Sequence, residues 1–286
     1  MSLQEMLSDL PEVDLVVPHM FCLPGMTSFR ALFEDILGLP VVGSSSGCTA
    51  LAANKSQTKS IVSAKGVRVA PSQELHLGDP LMMQPPLIVK PNAEDNSLGV
   101  TLVWQSNEIS EALKAGFEFD DTLLVEEYIP GREIRVAVIE HQGQLYVPAM
   151  IEYLMTEENP IRTVNDKLKL ESNGMPYSQP EKPTATPVCP AVVTPKLYSE
   201  LADAAKKAHG ALGCRDYSLY DFRVHAETGK PYLLEAGLFW TFSSISMISR
   251  MVLADGQDLE KIIRELWTQA ARRVRIPCGS LFKVKS

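Results

Sequence analysis

Apolar positions change their period several times along the chain, and each change marks an element. DLVVPHMF (14–21) is a short apolar run that predicts a buried strand entering a loop. Over 25–37 the apolar residues Phe29, Leu32, Phe33, Ile36 and Leu37 recur at helical spacing, with Gly38 placed as a C-cap. PVVG (40–43) predicts a second strand, and 53–64 predicts a helix that Gly66 ends. This strand–helix alternation is that of a doubly wound unit, too small here to be a whole domain. Further on, PLIVKP (86–91) and VTLVW (100–104) predict strands separated by a polar loop, and 106–117 predicts a helix capped by Ser106. TLLVEEYIPG (122–131) is a strand that stops at Pro-Gly, and 132–154 alternates on both sides of Gln142-Gly143 as a hairpin does.

Residues 155–193 are rich in Pro, Asn, Thr and Glu and lack periodicity, which predicts a long loop that is either a functional lid or disordered. A helix follows over 194–213, between Thr194 as N-cap and Gly213 as terminator. Residues 216–237 predict a second hairpin turning at Glu-Thr-Gly-Lys, and two helices close the chain near 244–254 and 258–273. Strand-rich segments interleaved with helices make this an α/β (α+β) protein. The expected divisions are a partial αβ lobe over 1–52, a small lobe over 53–130 and a larger lobe over 131–286.

Composition narrows the function classes. The 286 residues carry a formal net charge of −8, which argues against nucleic-acid binding through surplus Lys and Arg. No apolar run approaches a membrane span, and the acidic start lacks the basic and apolar regions of a secretory signal. The 5 cysteines include no CxxC pair, which suits free thiols in a reducing compartment and a cytoplasmic location.

Chemistry concentrates in four places. Asp221 in SLYDFRV and Glu235 in YLLEAG lie on the two strands of the second hairpin, where alternation lets them share a face. Two such carboxylates suit Mg²⁺, which binds carboxylates together with phosphate oxygens and water; a cross-strand pair with Arg223 on a solvated face is the plainer alternative. Lys90 ends a strand ahead of EDNSLG, a lysine and flexible backbone suited to phosphate, although neither GxxxxGK[ST] nor GxGxxG is present. VEEYIPGRE (125–133) offers polar backbone beside Tyr128 and Ile129 for an adenine edge, with Glu133 positioned for ribose hydroxyls. Lys55, in ANKSQTK, is a lone helical lysine. Each of these features has an ordinary surface or turn reading when taken singly.

Their order along the chain resembles the ATP-grasp superfamily, in its D-alanine–D-alanine ligase branch. The stretches carrying the resemblance are LPVVGSSSGCTALAANKSQTK, LIVKPNAEDNSLGV, LLVEEYIPGREIRVAV and PYLLEAG. VVPHMFCLPGMTSFRALFEDILGLPVVG, DNSLGVTLV, RDYSLYDFR and LLEAGLFWTFSSISMISRM are most similar to the ligases of mycosporine-like amino acid biosynthesis. The resemblance implies two antiparallel lobes around ATP and a truncated Rossmann-like N-terminal lobe. It implies Lys55 and Lys90 on the phosphates, and Asn96, Ser97, Leu98 and Gly99 closing over them. Glu126, Glu127 and Ile129 would hold adenine and Glu133 the ribose. Lys167 would reach the γ-phosphate, Asp221 and Glu235 would bind Mg²⁺, and Ser246 would meet a substrate carboxylate.

Two departures bear on the substrate. The branch ends its metal strand in Glu-x-Asn, whereas this chain has Glu235-Ala236-Gly237, so one magnesium site is expected and the ligand for a second is missing. The branch also has an arginine two residues before the metal aspartate; here that position is Leu219, and Arg223 is the expected catalytic cation in its place. The resemblance therefore implies a carbon–nitrogen ligase that couples an amino acid to mycosporine-glycine. The alternatives are a D-Ala–D-Ala-type dipeptide ligase and a nucleotide-binding module without turnover. Small molecules are the expected partners, without nucleic acid or membrane, and the resemblance leaves room for a homodimer.

Overall fold

The computed structural model describes residues 5, 11–20, 22–94, 97–162 and 185–273. Near the N-terminus the two anticipated strands reduce to one parallel bridge, Val16 with Val41. The helix anticipated over 25–37 is broken into α1 (Leu23–Met26), α2 (Ser28–Ala31) and a π-turn over Leu32–Ile36. A helix not anticipated from sequence, α3 (Ser46–Ala53), precedes α4 (Lys55–Ser63), which is the helix anticipated over 53–64. Asn54 divides them: its backbone is extended, and its side chain accepts from the Gln57 amide at 3.0 Å as the N-cap of α4.

A four-stranded antiparallel sheet comes next, made of β1 (Ser72–His76), β2 (Leu87–Pro91), β3 (Thr101–Val103) and β4 (Thr122–Glu127) in the order β1-β4-β2-β3. Helix α5 (Ile109–Gly116) covers it, and Leu75, Leu87, Val89, Val103, Ala112, Leu123 and Val125 form the core between them. The edge strand β1 has no alternation strong enough to announce it in sequence.

The second sheet is larger. It contains β5 (Gly131–His141), β6 (Gln144–Tyr146), β7 (Ile151–Leu154), β8 (Thr186–Val188), β9 (Tyr217–His225) and β10 (Pro231–Gly237), in the order β10-β9-β5-β7-β8 with β6 paired to β5. The segment 132–154 is thus not one hairpin, because β5 is long enough to pair with β6 at one end and β7 at the other. The long loop anticipated over 155–193 contains β8, and its residues 163–184 lie outside the described residues.

Alternation along β5 and β9 sorts side chains to two faces. Ile134, Val136, Val138, Tyr220 and Phe222 pack toward α6 (Pro195–Leu212), which Thr194 caps and the left-handed Gly213 ends, as its sequence signals predict. On the opposite face Ala137, Ile139 and Tyr217 pack with Trp240 beneath α7 (Met247–Ala254) and α8 (Leu259–Ala271). That second face changes character along its length. Register pairs Ile139 with Tyr217 and Ala137 with Leu219, and then Arg135 with Asp221 and Glu133 with Arg223. The apolar end lies under helices and the charged end borders the first sheet. Among the described residues, no helix is long and apolar enough to cross a membrane.

Candidate active site

The charged end of the large sheet and the open side of the small sheet border a cleft. Its lining includes Lys90, Ser97, Glu126 to Ile129, Glu133, Arg162, Asp221, Arg223 and Glu235. The order inferred from sequence therefore corresponds to a place.

Asp221 and Glu235 are directly paired across β9 and β10. This pairing depends on a bulge. Leu233 pairs with Phe222 and packs into the α6-side core, so regular alternation would send Glu235 to that core as well. One extra residue, Leu234, restores Glu235 to the Asp221 face. Two oxygen-donor side chains beside a lysine fit a hard divalent cation whose remaining ligands are phosphate oxygens and water. Among the described residues no three His, Cys, Asp or Glu side chains are grouped to hold a metal, so the protein alone does not form a closed cage.

Asp221 is 2% exposed and carries two guanidiniums. Arg135, its register partner on β5, binds it in bidentate fashion, with Nη2 to Oδ2 at 2.6 Å and Nε to Oδ1. Arg162 donates from Nη2 to Oδ2 at 2.7 Å and from Nε to Glu133 Oε1, and it lies 4.0 Å over the Tyr153 ring. Burial opposes both charges, but Asp221 and, for Arg162, Glu133 outweigh it and raise both pKa values. Neither arginine was singled out in sequence. Arg135 could have been found by registering β5 against β9; Arg162 lies in a segment with no periodic signal.

Arg223, the cation expected from sequence, shares the Asp221 face but serves the segment that joins the sheets. It donates to the Ile129 carbonyl at 3.1 Å, the Tyr128 hydroxyl at 3.2 Å, Glu133 at 3.3 Å and the Pro160 carbonyl at 2.7 Å. Tyr128 in turn meets the edge of Trp104, centroids 5.4 Å apart. The guanidiniums bonded to Asp221 are those of Arg135 and Arg162.

The lysines are also rearranged. Lys90 pairs with Glu126 at 2.5 Å within the cleft. Lys55 lies outside the cleft lining, with Nζ donating to the carbonyls of Asn92, at 3.4 Å, and Glu94. It therefore anchors the base of the loop that leads to Ser97. Lys59, one turn further along α4, pairs with the other oxygen of Glu126 and donates to the Leu233 carbonyl at 3.2 Å. Burial pushes the Lys59 ammonium down to about 8, with Glu126 opposing. The same burial works against the Glu126 carboxylate, but Lys59 and Lys90 hold its pKa below the ordinary value.

In the loop, Ser97 and Gly99 both have positive φ, and a Cβ on Gly99 would lie 2.7 Å from Pro91 and 2.9 Å from Phe119. Ser97 and Val100 border the cleft, whereas Leu98 and Gly99 are not part of its lining. Glu127 is exposed at the end of β4. Asn96 and Lys167 lie outside the described residues. Ser246 is not in the cleft lining; it precedes α7, makes no side-chain bond to that helix's first amides, and accepts from Trp240 Nε1 at 3.0 Å.

Residues 80–268 match the family model described as D-ala D-ala ligase C-terminus. The chain belongs to the D-alanine–D-alanine ligase family. It is 30% identical to D-alanine–D-alanine ligase of Geobacter sulfurreducens, covering 93% of this chain and 82% of that protein. It is also 30% identical to the ligase of the same name from Geotalea uraniireducens, over 84% of this chain and 73% of that one. Among solved structures it superposes on the VanG D-Ala:D-Ser ligase of Enterococcus faecalis with a TM-score of 0.77 at 23% identity, covering 91% of this chain and 74% of that chain. Bacillus anthracis D-alanine–D-alanine ligase complexed with ATP gives 0.72 at 20% identity, covering 94% and 81%. At that identity the superpositions show a shared fold, ATP-grasp, and the sequence relatives supply the family. As a D-alanine–D-alanine ligase family member, the chain is an ATP-dependent C–N ligase.

Proposed function

We propose that the cleft binds ATP with Mg²⁺, phosphorylates a substrate oxygen and lets an amino acid amine displace the phosphate, giving a D-Ala–D-Ala-type dipeptide. The observation that carries this reading is the direct pairing of Asp221 with Glu235 in the cleft that also holds Lys90 and Glu133. The curated relatives favour a dipeptide product over the mycosporine product expected from sequence.

Adenine would lie by residues 126–129, where Arg223 braces the Ile129 carbonyl and the Tyr128 ring. Glu133 would meet the ribose after yielding part of its contact with Arg162. Lys90 and the Ser97 loop would hold phosphates. The role of Lys55 is then to fix that loop from below, and that of Lys59 is to hold Glu126 in place. Mg²⁺, when bound, supplies charge compensation to the phosphoryl group. A substrate carboxylate oxygen attacks the γ-phosphorus and ADP leaves; the amine nitrogen then attacks the acyl carbon and inorganic phosphate leaves with that oxygen.

A second reading retains mycosporine-glycine as acceptor. It is favoured by one pair: Gly237 stands opposite Leu219, so neither strand places a polar side chain there and a bulkier acceptor has room. Mass spectrometry separates the two. Purified chain, ATP and Mg²⁺ are incubated with D-alanine, with D-alanine plus D-serine, and with mycosporine-glycine plus serine. Dipeptide in the first two mixtures supports the main reading. An imino-mycosporine product alone replaces it with the second, and ATP cleavage without any C–N product contradicts both.

A further inference from the structure

We propose that Arg135 and Arg162 are built-in counter-cations of the phosphate site, so that the cleft takes one divalent cation per nucleotide. This rests on the nucleotide reading above.

Three observations converge. Both oxygens of Asp221 already accept from guanidinium groups, two bonds from Arg135 and one from Arg162. The charge of Asp221 is therefore offset before any cation arrives. Counting Arg135 and Lys59 with the charged lining of the cleft, five cations (Lys59, Lys90, Arg135, Arg162 and Arg223) stand against five carboxylates (Glu126, Glu127, Glu133, Asp221 and Glu235). A site with no net negative charge attracts a first divalent ion only through the nucleotide, and a second ion weakly.

The arginines are also held in place, Arg162 in the cleft lining and Arg135 behind it on Asp221. Arg135 is fixed by strand register, by its bidentate bond and by the Tyr153 ring 5.4 Å away. Arg162 is buried at 6% exposure, stacks on the same ring and borders the cleft. Guanidinium donors match phosphate oxygens in pairs, which a hydrated metal ion would otherwise have to satisfy. Finally, the position opposite Leu219 is Gly237. A Cβ there would meet only Leu219, at 3.9 Å, so space for a ligand side chain exists and none is provided.

The test counts ions directly. The full chain is saturated with the β,γ-imido analogue of ATP, and bound Mn²⁺ is titrated by electron paramagnetic resonance. The expected result is one Mn²⁺ per chain. Arg162→Gln should tighten that Mn²⁺ by about tenfold, the size expected from removing one nearby positive charge, and should admit a second Mn²⁺ once Gly237→Asn adds a ligand. Arg162→Lys, which keeps the charge, should remain at one. Thermal unfolding of each variant establishes that it is folded before ions are counted, and Arg135→Lys serves as the second probe if Arg162→Gln does not fold. It keeps the charge but loses the fork, so it should hold one Mn²⁺ with weakened analogue binding. Two Mn²⁺ in the unaltered chain, or one with unchanged affinity in Arg162→Gln, overturns the inference. Two ions would leave the nucleotide reading intact. Failure of the analogue to bind at any Mn²⁺ concentration overturns that reading and this inference together.

Discussion

Asp221 and Glu235 would be treated alike by a sequence argument, but their surroundings differ. Each should be needed for turnover, with a loss on the order of 10²-fold or more in kcat for Asp221→Asn or Glu235→Gln. Their stabilities should diverge. Asp221→Asn leaves Arg135 and Arg162 facing a neutral amide inside the protein, and breaking a buried pair in this way costs ~3–5 kcal/mol. Glu235 is only half-buried, so Glu235→Gln should unfold within about 1 kcal/mol of the parent. Equal destabilisation in urea titrations would contradict the assignment of both guanidiniums to Asp221. Lys59 offers a pH test. Its folded pKa lies below the unfolded value, so the folded chain binds this proton less tightly than the unfolded chain does. The penalty is present in full below about pH 8 and is relieved as pH rises from there toward 10.5. Stability relative to a Lys59→Met variant should therefore increase between about pH 8 and about pH 10. A difference that stays flat across that window would remove Lys59 from the buried cluster with Glu126 and Lys90.

At the scale of elements, two local devices set the site and both can be broken. Gly131 begins β5 at φ 139°, and a Cβ there would stand 2.0 Å from the Val224 carbonyl. Gly131→Ala should separate β5 from β9 at the end that carries Glu133 and Arg223, lowering stability by roughly 2–4 kcal/mol and nucleotide affinity with it. A variant with parental thermal stability would show that the strands do not meet so closely. The Asn54 cap is a smaller effect: Asn54→Ala should cost ~1 kcal/mol. These elements also show what could be read from sequence. The α6 boundaries were legible because Thr194 and Gly213 satisfy helix ends in ways few residues can. The β9–β10 hairpin was legible because alternation and the Glu-Thr-Gly-Lys turn agree. The pairing of Asp221 with Glu235 was anticipated as a shared face, but the bulge that produces it depends on Leu233 being buried against another element. Helix α3 was missed because the small residues of Ser46–Ala53 carry no apolar stripe at helical spacing. Arg135 was missed for a different reason: its partner is fixed by β5–β9 register, which single-strand periodicity does not specify.

For the whole molecule, the two sheets are tied at the floor of the cleft rather than left as independent lobes. Val69 bridges to Leu233, the Leu233 amide donates to Arg68, and Lys59 binds both the Leu233 carbonyl and Glu126. Family and fold were legible at this scale, because the order of lysine, loop, strand and paired carboxylates survives divergence better than any single motif. The substrate was not, since neither Leu219 nor Gly237 carries a polar group that would announce what it meets. In the proposed reaction, phosphate leaves with an oxygen taken from the substrate. This is tested most directly by isotope transfer. Substrate labelled with ¹⁸O in its carboxylate is turned over with unlabelled ATP and Mg²⁺ in ordinary water, and the released inorganic phosphate is weighed by mass spectrometry. Phosphate carrying one ¹⁸O for each C–N bond formed is the predicted result. Unlabelled phosphate accompanying product would mean that no substrate oxygen was phosphorylated, and would contradict the account.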